Sequence, residues 1–195
     1  MANKLKQNSL WSLEHYSKIR KDFRVEVLKH KKNRRIALGD YITLIFEDEK
    51  TVRYQIQEML RIEKTFDVSG IQDELEAYNP LIPDGKNFKC TMMIEYPDQN
   101  IRKEKLKSLK EIEHKVWVMV EGCDKVWSIA DEDLERSNDE KTSAVHFLRF
   151  ELNEDMVSAL KYGVSLAIGV DHPEYSVAVD PIPTNIRTCL TGDLL

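Results

Sequence analysis

The chain has 195 residues, of which 42% are hydrophobic and 32% charged, and its formal net charge is −5. This composition is typical of a soluble globular protein that is long enough to bury a substantial core. The longest apolar runs, residues 41–46 and 116–120, are too short to span a bilayer, and the first ten residues lack the apolar region of a secretory signal.

The cysteines indicate a reducing compartment. Cys90, Cys123 and Cys189 lie far apart, and none belongs to a C-x-x-C pair. Such a pattern is typical of free thiols in a cytosolic protein. We therefore expect a cytoplasmic protein without membrane insertion.

The N-terminal part of the chain predicts a tail, a long helix and a hairpin. Residues 1–8 are polar, and we expect them to form a flexible tail. An apolar seam at helical spacing predicts the first helix over residues 10–31. Residues 36–38 and 41–46 flank Gly39-Asp40, which predicts a β-hairpin.

Two further helices follow the hairpin. The spacing of apolar residues predicts one helix over residues 51–64 and a second over residues 69–78. Residues 79–85 contain two prolines and an Asp-Gly step, which predict a loop.

The middle of the chain alternates between strands and a charged helix. We predict a strand over residues 88–96, an amphipathic helix over residues 99–113, and a hairpin of residues 115–120 and 125–130. The acidic residues 131–141 are expected to be helical in part.

The last third begins with a strand that is apolar on both faces, residues 144–152, as expected of a central strand. A helix over residues 153–162 follows, and a third hairpin pairs residues 166–170 with residues 175–179. A short helix is predicted to begin near Pro183.

These elements predict an α+β fold with a largely antiparallel sheet built from hairpins, on which several helices pack. No internal repeat or low-complexity linker divides the sequence. We therefore expect residues 1–195 to form a single domain.

Glu63 is the most unusual residue of the predicted helix over residues 51–64. The apolar stripe of this helix consists of Val52, Ile56, Met59 and Leu60. At 100° per residue, Glu63 projects into that stripe. Because an unpaired buried carboxylate is costly, we expect Arg53 or Arg149 to pair with it. Such a carboxylate can serve as an acid, a base or a metal ligand.

A row of polar residues follows the adjoining face of the same helix. Arg53, Gln57 and Arg61 recur at i, i+4 spacing, with Tyr54 beside them. Guanidinium groups bind carboxylate or phosphate, so this row could line a small-anion site. Alternatively, the row is a solvent-exposed face that pairs with nearby glutamates at helical spacing.

Two histidines are candidate metal ligands. His146 lies on one apolar face of the predicted strand 144–152, where it is either a hydrogen-bonded core residue or a ligand. Asp171 and His172 lie in the predicted turn of the third hairpin, and a metal site there would need a remote ligand such as His146. An acidic hairpin turn is the alternative interpretation.

The charge is unevenly distributed. Residues 1–35 contain eleven Lys or Arg and three acids, a balance of +8, so that residues 36–195 carry −13. The basic segment 29–35 could hold phosphate or an acidic partner. Because the acidic remainder would repel a polyanion, we expect a solvated helix end instead, and nucleic-acid binding is the weaker hypothesis.

Eight separate blocks resemble the bacterial family known as domain of unknown function 3501. They are HKKNR (30–34), LIFED (44–48), TVRYQIQEMLRIE (51–63), YNPLIP (78–83), EYP (95–97), IADEDLER (129–136), KTSAVHFLRF (141–150) and GVDHP (169–173). The resemblance covers nearly the whole chain. It implies no activity, cofactor or catalytic residue. It does imply a redox setting, because members are often encoded near rubrerythrin-like proteins and cysteine-rich iron–sulfur proteins.

Our leading hypothesis is a non-catalytic accessory or binding protein that acts with such iron-dependent redox partners, since the chain has no cysteine cluster of its own. Its candidate binding cluster consists of Arg53, Tyr54, Gln57, Arg61, Glu63, His146 and Arg149. The alternative is a metal-assisted or acid–base enzyme for a small anionic substrate, which would use Glu63, His146, Asp171 and His172. A second alternative is nucleic-acid binding through the basic segment 29–35.

Overall fold

The computed structural model of the chain describes residues 4–132, 136–137 and 140–195. Within these residues the helices are α1 (Leu13–Lys31), α2 (Glu49–Glu63), α3 (Val68–Tyr78), α4 (Gln99–Ser108), α5 (Glu154–Lys161) and α6 (Thr184–Thr191). The strands are β1 (Arg35–Leu38), β2 (Ile42–Phe46), β3 (Asn87–Ile94), β4 (Val116–Val120), β5 (Val126–Trp127), β6 (Ile129–Ala130), β7 (Val145–Glu151), β8 (Leu166–His172) and β9 (Tyr175–Val179).

The strands form two sheets in which every neighbouring pair is antiparallel. The larger sheet has the order β1-β2-β3-β7-β6, and the smaller has the order β5-β4-β8-β9. The predicted α+β fold with a largely antiparallel sheet is therefore confirmed. Strand β7 lies between two neighbours, as its two apolar faces predicted.

The chain crosses from one sheet to the other at Ser128. Residues 125–130 were predicted to form one strand, but β5 pairs with β4 whereas β6 pairs with β7. At the crossing, two hydrogen bonds hold Ser128 in place. Its backbone N–H donates to the Val116 carbonyl, and its hydroxyl donates to the Glu113 carbonyl. This step brings Asp131 to the edge of β7.

One continuous core lies between the two sheets and is closed by α4, α5 and α6. Helices α1, α2 and α3 build two smaller apolar clusters beside it. Of the described helices, none combines the length and the apolar character that crossing a bilayer would require. The fold therefore places a helical layer at one side of the sheets, and this layer forms one wall of the cleft described below.

Caps and backbone geometry set the helix bounds. Asp48 and Thr51 form a capping box at the start of α2, in which the side chain of each residue accepts a hydrogen bond from the backbone N–H of the other. Helix α4 ends at Ser108, and Glu111 adopts a left-handed φ of 64°, so the helix predicted to reach residue 113 is too long.

The N-terminus differs from the flexible tail expected for residues 1–8. Leu5 is buried, and its backbone N–H donates to Asn79 Oδ1 at 2.8 Å. In return, Asn79 Nδ2 donates to the Leu5 carbonyl at 2.9 Å. This reciprocal pairing holds Leu5 at the end of α3. Residues 1–3 and part of the predicted partial helix 131–141 lie outside the described residues.

Candidate functional site

Glu63 is exposed, and the predicted burial of its carboxylate is wrong. The stripe of Val52, Ile56 and Leu60 is buried, but α2 ends at Glu63, and Lys64 turns into the left-handed region with φ 55°. Glu63, the last residue of the helix, therefore lies in solvent, beyond the buried Leu60. Arg149, a candidate partner, instead donates from Nε to Glu132 Oε2 at 2.8 Å and also binds Glu151.

The polar row on α2 packs against α1 instead of lining an anion site. Gln57 is fully buried, and its amide accepts from Trp11 N at 2.7 Å and donates to Trp11 O at 3.3 Å. Arg53 pairs with Glu49, and its guanidinium lies 5.8 Å from the centroid of the Trp11 ring. Tyr54 packs on Phe23. These contacts join α2 to α1 and to Trp11 just before it.

Arg61 joins an ion cluster centred on Glu58. Arg20 binds both oxygens of Glu58 at 2.7 and 2.8 Å, Arg61 binds them at 3.3 and 3.2 Å, and the Tyr16 hydroxyl donates at 2.8 Å. The Arg20 hydrogen bonds, followed by those of Arg61 and Tyr16, lower the pKa of Glu58 to about 2. Burial and the Glu58 charge raise the pKa of Tyr16. Arg53 and Arg61 thus make the helical-spacing pairs of the alternative interpretation.

His146 is a fully buried, hydrogen-bonded residue on the inner face of β7. Its Nδ1 lies 2.6 Å from Asp131 Oδ2, and its Nε2 lies 2.9 Å from Thr142 Oγ1 and 3.1 Å from the Ser143 carbonyl. Asp131 reaches this position because β6 pairs with β7. No other residue of the predicted binding cluster takes part in these contacts.

Glu113 completes the network around His146. Thr142 Oγ1 donates to Glu113 Oε2 at 3.0 Å, and the Ser137 hydroxyl donates to the other oxygen. Since the Thr142 hydrogen is directed at Glu113, its oxygen accepts from Nε2 of His146. Both ring nitrogens of His146 are therefore engaged in hydrogen bonds inside the protein.

This network contains the types of side chain that bind metals. One potential ligand atom from each of Glu113, Asp131 and His146 lies within 4.8 Å of the others. However, the Thr142 hydroxyl bridges His146 Nε2 and Glu113 Oε2, so an ion bound by both would have to displace it. As the structure stands, the network balances buried charge through hydrogen bonds.

Asp171 and His172 do not join His146 in that group of potential ligands among the described residues. Strand β8 extends to His172, so His172 belongs to the strand and not to the predicted turn. Its Nε2 donates to the Lys110 carbonyl at 3.0 Å, and its Nδ1 accepts from Glu174 N at 3.1 Å. Asp171 pairs with Lys125 at 2.6 Å, which lowers the pKa of its carboxyl.

Arg34, from the basic segment 29–35, is buried at the centre of a second ion cluster. Its side chain donates to the carbonyls of Phe46 and Glu47 at 2.9 and 3.0 Å, and it binds both oxygens of Asp193. It also lies 3.3 Å from Asp48. These contacts fix the end of α1, the start of α2 and the segment after α6 to one another.

The two carboxyl groups of this cluster are shifted in opposite directions. Burial raises the pKa of Asp193, and the Arg34 guanidinium offsets part of that rise. Burial would also raise the pKa of Asp48, but Arg34, the Thr51 amide and His30 outweigh it and hold that pKa below its usual value. Both carboxyl groups reach the surface at the floor of a cleft.

The cleft has a volume of about 910 Å³ and lies between α1, the start of α2, the loop 82–85 and the segment after α6. Its carboxylates are Asp22, Glu26, Asp48, Glu49, Asp84 and Asp193, and its cationic side chains are Lys50 and Arg53. Trp11 and Phe23 form an aromatic part of the wall and meet edge to face at 4.9 Å. The lining therefore combines an apolar surface with an excess of negative charge.

Most of the ion pairs in the cleft are already made. Lys50 pairs with Glu26 at 3.2 Å, and Arg53 pairs with Glu49. Asp22, by contrast, is exposed on the cleft side of α1 and makes no hydrogen bond or ion pair with any described residue. Sequence reasoning missed this site, although the capping box of Asp48 and Thr51 was a local signal for one of its walls.

Comparison with known proteins gives a family and a relative. The family model described as "Protein of unknown function (DUF3501)" matches residues 4–194. The crystal structure of a novel protein of unknown function from Burkholderia pseudomallei is 49% identical in sequence and superposes with a TM-score of 0.94, covering 98% of this chain and 100% of that chain. No curated protein matches the sequence.

Proposed function

This chain belongs to the DUF3501 family, whose description assigns no activity, and we propose that it is a binding protein whose acidic cleft takes an organic polycation. The main support is the charge of the lining, which has six carboxylates and two cationic side chains in one concave site. Even when the buried Arg34 behind the floor is included, the carboxylates outnumber the Lys and Arg side chains by three. A ligand with several ammonium groups would neutralise this charge.

The charge of α1 is segregated toward the cleft. Asp22 and Glu26 are two of the three acids in residues 1–35, and both lie on the side of α1 that lines the cleft. The helix therefore turns carboxylates toward this site although its segment is strongly basic. In a partly enclosed site such charges attract a cation more strongly than they would in open solvent.

The aromatic wall also suits a cation. Arg53 already lies 5.8 Å from the centroid of the Trp11 ring, within the range at which a cation is attracted to an aromatic face. Methylene groups between ammonium groups would pack on Trp11, Phe23 and Ile82, which contribute apolar surface. The cleft volume of about 910 Å³ falls in the range of small-molecule sites.

A chain-like polyamine fits the lining better than a metal ion. Among the described residues, the cleft carboxylates form no group of three whose oxygens converge closely enough to share one ion. Asp22 and Asp84 line the cleft and make no ion pair with a described residue, so each could meet a separate ammonium group. Two such carboxylates in one cleft favour an extended ligand with several ammonium groups.

Titration calorimetry with spermidine at low salt tests the proposal. We expect saturable binding that weakens as salt rises, because the attraction is electrostatic. Asp22→Lys should reduce the affinity by about tenfold or more, which corresponds to about 1.4 kcal/mol. Glu14→Lys, which makes the same change of charge at an exposed acid of the same helix outside the cleft, is the matched control and should bind like the parent.

The neutral diol 1,8-octanediol provides a second control, since it keeps the methylene chain and lacks the charge. No spermidine binding by the parent protein, or equal binding by the parent and Asp22→Lys, would refute the proposal. The association with rubrerythrin-like and iron–sulfur proteins stays a prediction from the family resemblance. The enzyme alternative gains no support from His146, because both of its ring nitrogens are engaged.

A further inference from the structure

Helix α1 carries an exposed basic face that the cleft does not use. We define this basic face as Lys21, Arg24, Val25, Leu28, Lys29 and Lys32, all of them exposed. In the described part of the chain, none of its four cations makes a hydrogen bond or ion pair through its side chain. Val25 is 63% exposed and Leu28 is 46% exposed, in the middle of these charges.

Such a face is unfavourable for an isolated helix. Lys21 and Arg24 are three residues apart, as are Lys29 and Lys32, and like charges at this spacing repel. Elsewhere on helical surfaces of this chain, Lys18 pairs with Glu14 and Lys107 with Glu104. The basic face is thus a concentration of unpaired positive charge on a protein whose net charge is −5.

A second surface has the complementary character. The α2–α3 patch consists of Ile62, Glu63, Phe66, Asp67, Val68 and Asp73. Ile62, Phe66 and Val68 are 60%, 73% and 64% exposed, a concentration of large apolar side chains that is unusual on a free surface.

Two acids of the α2–α3 patch lie close to Glu74. Burial, followed by the charges of Glu63 and Asp73, raises the pKa of the neighbouring Glu74. Asp67 accepts hydrogen bonds from Ser69 and from Gly70 N, and none of the three acids of the patch makes an ion pair with a described residue. The patch therefore offers exposed apolar side chains with acids beside them.

We propose that two copies of this chain associate, with the basic face of one copy docked on the α2–α3 patch of the other. Exposed aliphatic side chains meet exposed apolar side chains, and four unpaired cations meet three acids. In a two-fold dimer the contact would occur twice, as closed homodimers require.

Other occupants fit the two surfaces less well. Nucleic acid would use the cations but would leave Val25 and Leu28 without an apolar contact. A membrane surface would need a broad apolar helix face, but Tyr16, Phe23 and Val27 of α1 are buried against the rest of the protein. A second copy satisfies both the charges and the apolar side chains.

Sedimentation velocity of the full chain over a range of concentrations tests the proposal. We expect a dimer whose fraction rises with concentration and falls when salt increases from about 0.1 M to about 1 M, because the Debye length shrinks. The double variant Lys21→Glu/Arg24→Glu and the double variant Glu63→Lys/Asp73→Lys should each be monomeric where the parent is dimeric.

An equimolar mixture of the two double variants should dimerise again, because each reversed surface meets its reversed complement. Lys103→Glu/Lys105→Glu, on the exposed side of α4, is the control for a general change of charge and should dimerise like the parent. Leu28→Ser and Phe66→Ser test the apolar part, and each should weaken the dimer. A parent protein that is monomeric throughout, or a mixture that fails to restore the dimer, would overturn the proposal.

Discussion

Replacing Arg34 should be one of the most destabilising single changes in the chain. The Arg34 side chain is 1% exposed, and its guanidinium donates to two backbone carbonyls and to both oxygens of Asp193. Arg34→Met keeps much of the side-chain volume but removes the charge and every donor. Asp193 and Asp48 would then be left partly buried without their guanidinium partner.

The expected loss follows from the cost of breaking one side of a buried ion pair. Removing one partner typically costs about 3–5 kcal/mol, because the remaining charge is desolvated and unpaired. In a chain of this size, each kcal/mol lowers the midpoint of thermal unfolding by about 2–4 °C. We therefore expect a loss of about 3–5 kcal/mol and a midpoint lower by about 6–20 °C.

Urea unfolding at neutral pH, followed by far-UV circular dichroism, measures this loss directly. Arg34→Lys keeps the charge, but one ammonium group cannot reach four acceptors, so its loss should be intermediate. Adding Asp193→Asn to Arg34→Met removes one of the unpaired carboxylates and should recover part of the stability. A loss below about 1 kcal/mol for Arg34→Met would be typical of a surface pair and would refute the role assigned to this residue.

Two further changes test the other ion clusters. The folded-state pKa of Glu58 is lowered to about 2 from an unfolded value of about 4.5. The ionised Glu58 therefore contributes to stability above pH 4.5, and this contribution is lost as the pH falls toward 2. We expect the contribution to be about 1–2 kcal/mol, since Arg20 and Arg61 are partly exposed. Urea midpoints measured from pH 6 to pH 2 should show this loss in the parent and not in Glu58→Gln, and equal slopes would contradict it. His146→Phe should cost about 1–3 kcal/mol in the same urea assay, because Asp131 and the Ser143 carbonyl each lose a hydrogen-bond partner inside the protein. A variant as stable as the parent would show that the network contributes little.

The elements that depend on local sequence patterns were predictable. The hairpin around Gly39-Asp40, the central strand β7 and the helix capped by Asn153 all follow from periodicity and turn residues within a few positions. The crossing at Ser128 was not predictable, because apolar residues on both sides of Ser128 are compatible with one continuous strand. The pairing depends on the tertiary structure, in which β5 pairs with β4 and β6 pairs with β7.

The polar clusters were harder to predict, because their partners are distant in sequence. Arg34 and Asp193 are separated by 159 residues, and Gln57 and Trp11 by 46. The prediction for Glu63 was wrong for a different reason. A helical wheel assumes that the helix and the element on which it packs both continue past the residue in question. At Lys64 the helix ends, and the carboxylate enters solvent.

Helix α1 shows how much of the cleft the periodicity could have predicted. At 100° per residue, Asp22 and Glu26 lie about 40° apart, while the basic face covers an adjoining arc that begins with Lys29, about 20° from Asp22, and continues through Val25, Lys32, Lys21, Leu28 and Arg24. The buried residues Tyr16, Phe23 and Val27 occupy the remaining side. A summed charge of +8 for residues 1–35 conceals this separation, because it adds acids and bases that face different surroundings. Assigning each charge to its side of the helix gives one acidic and one basic surface, and only the acidic one lines the cleft.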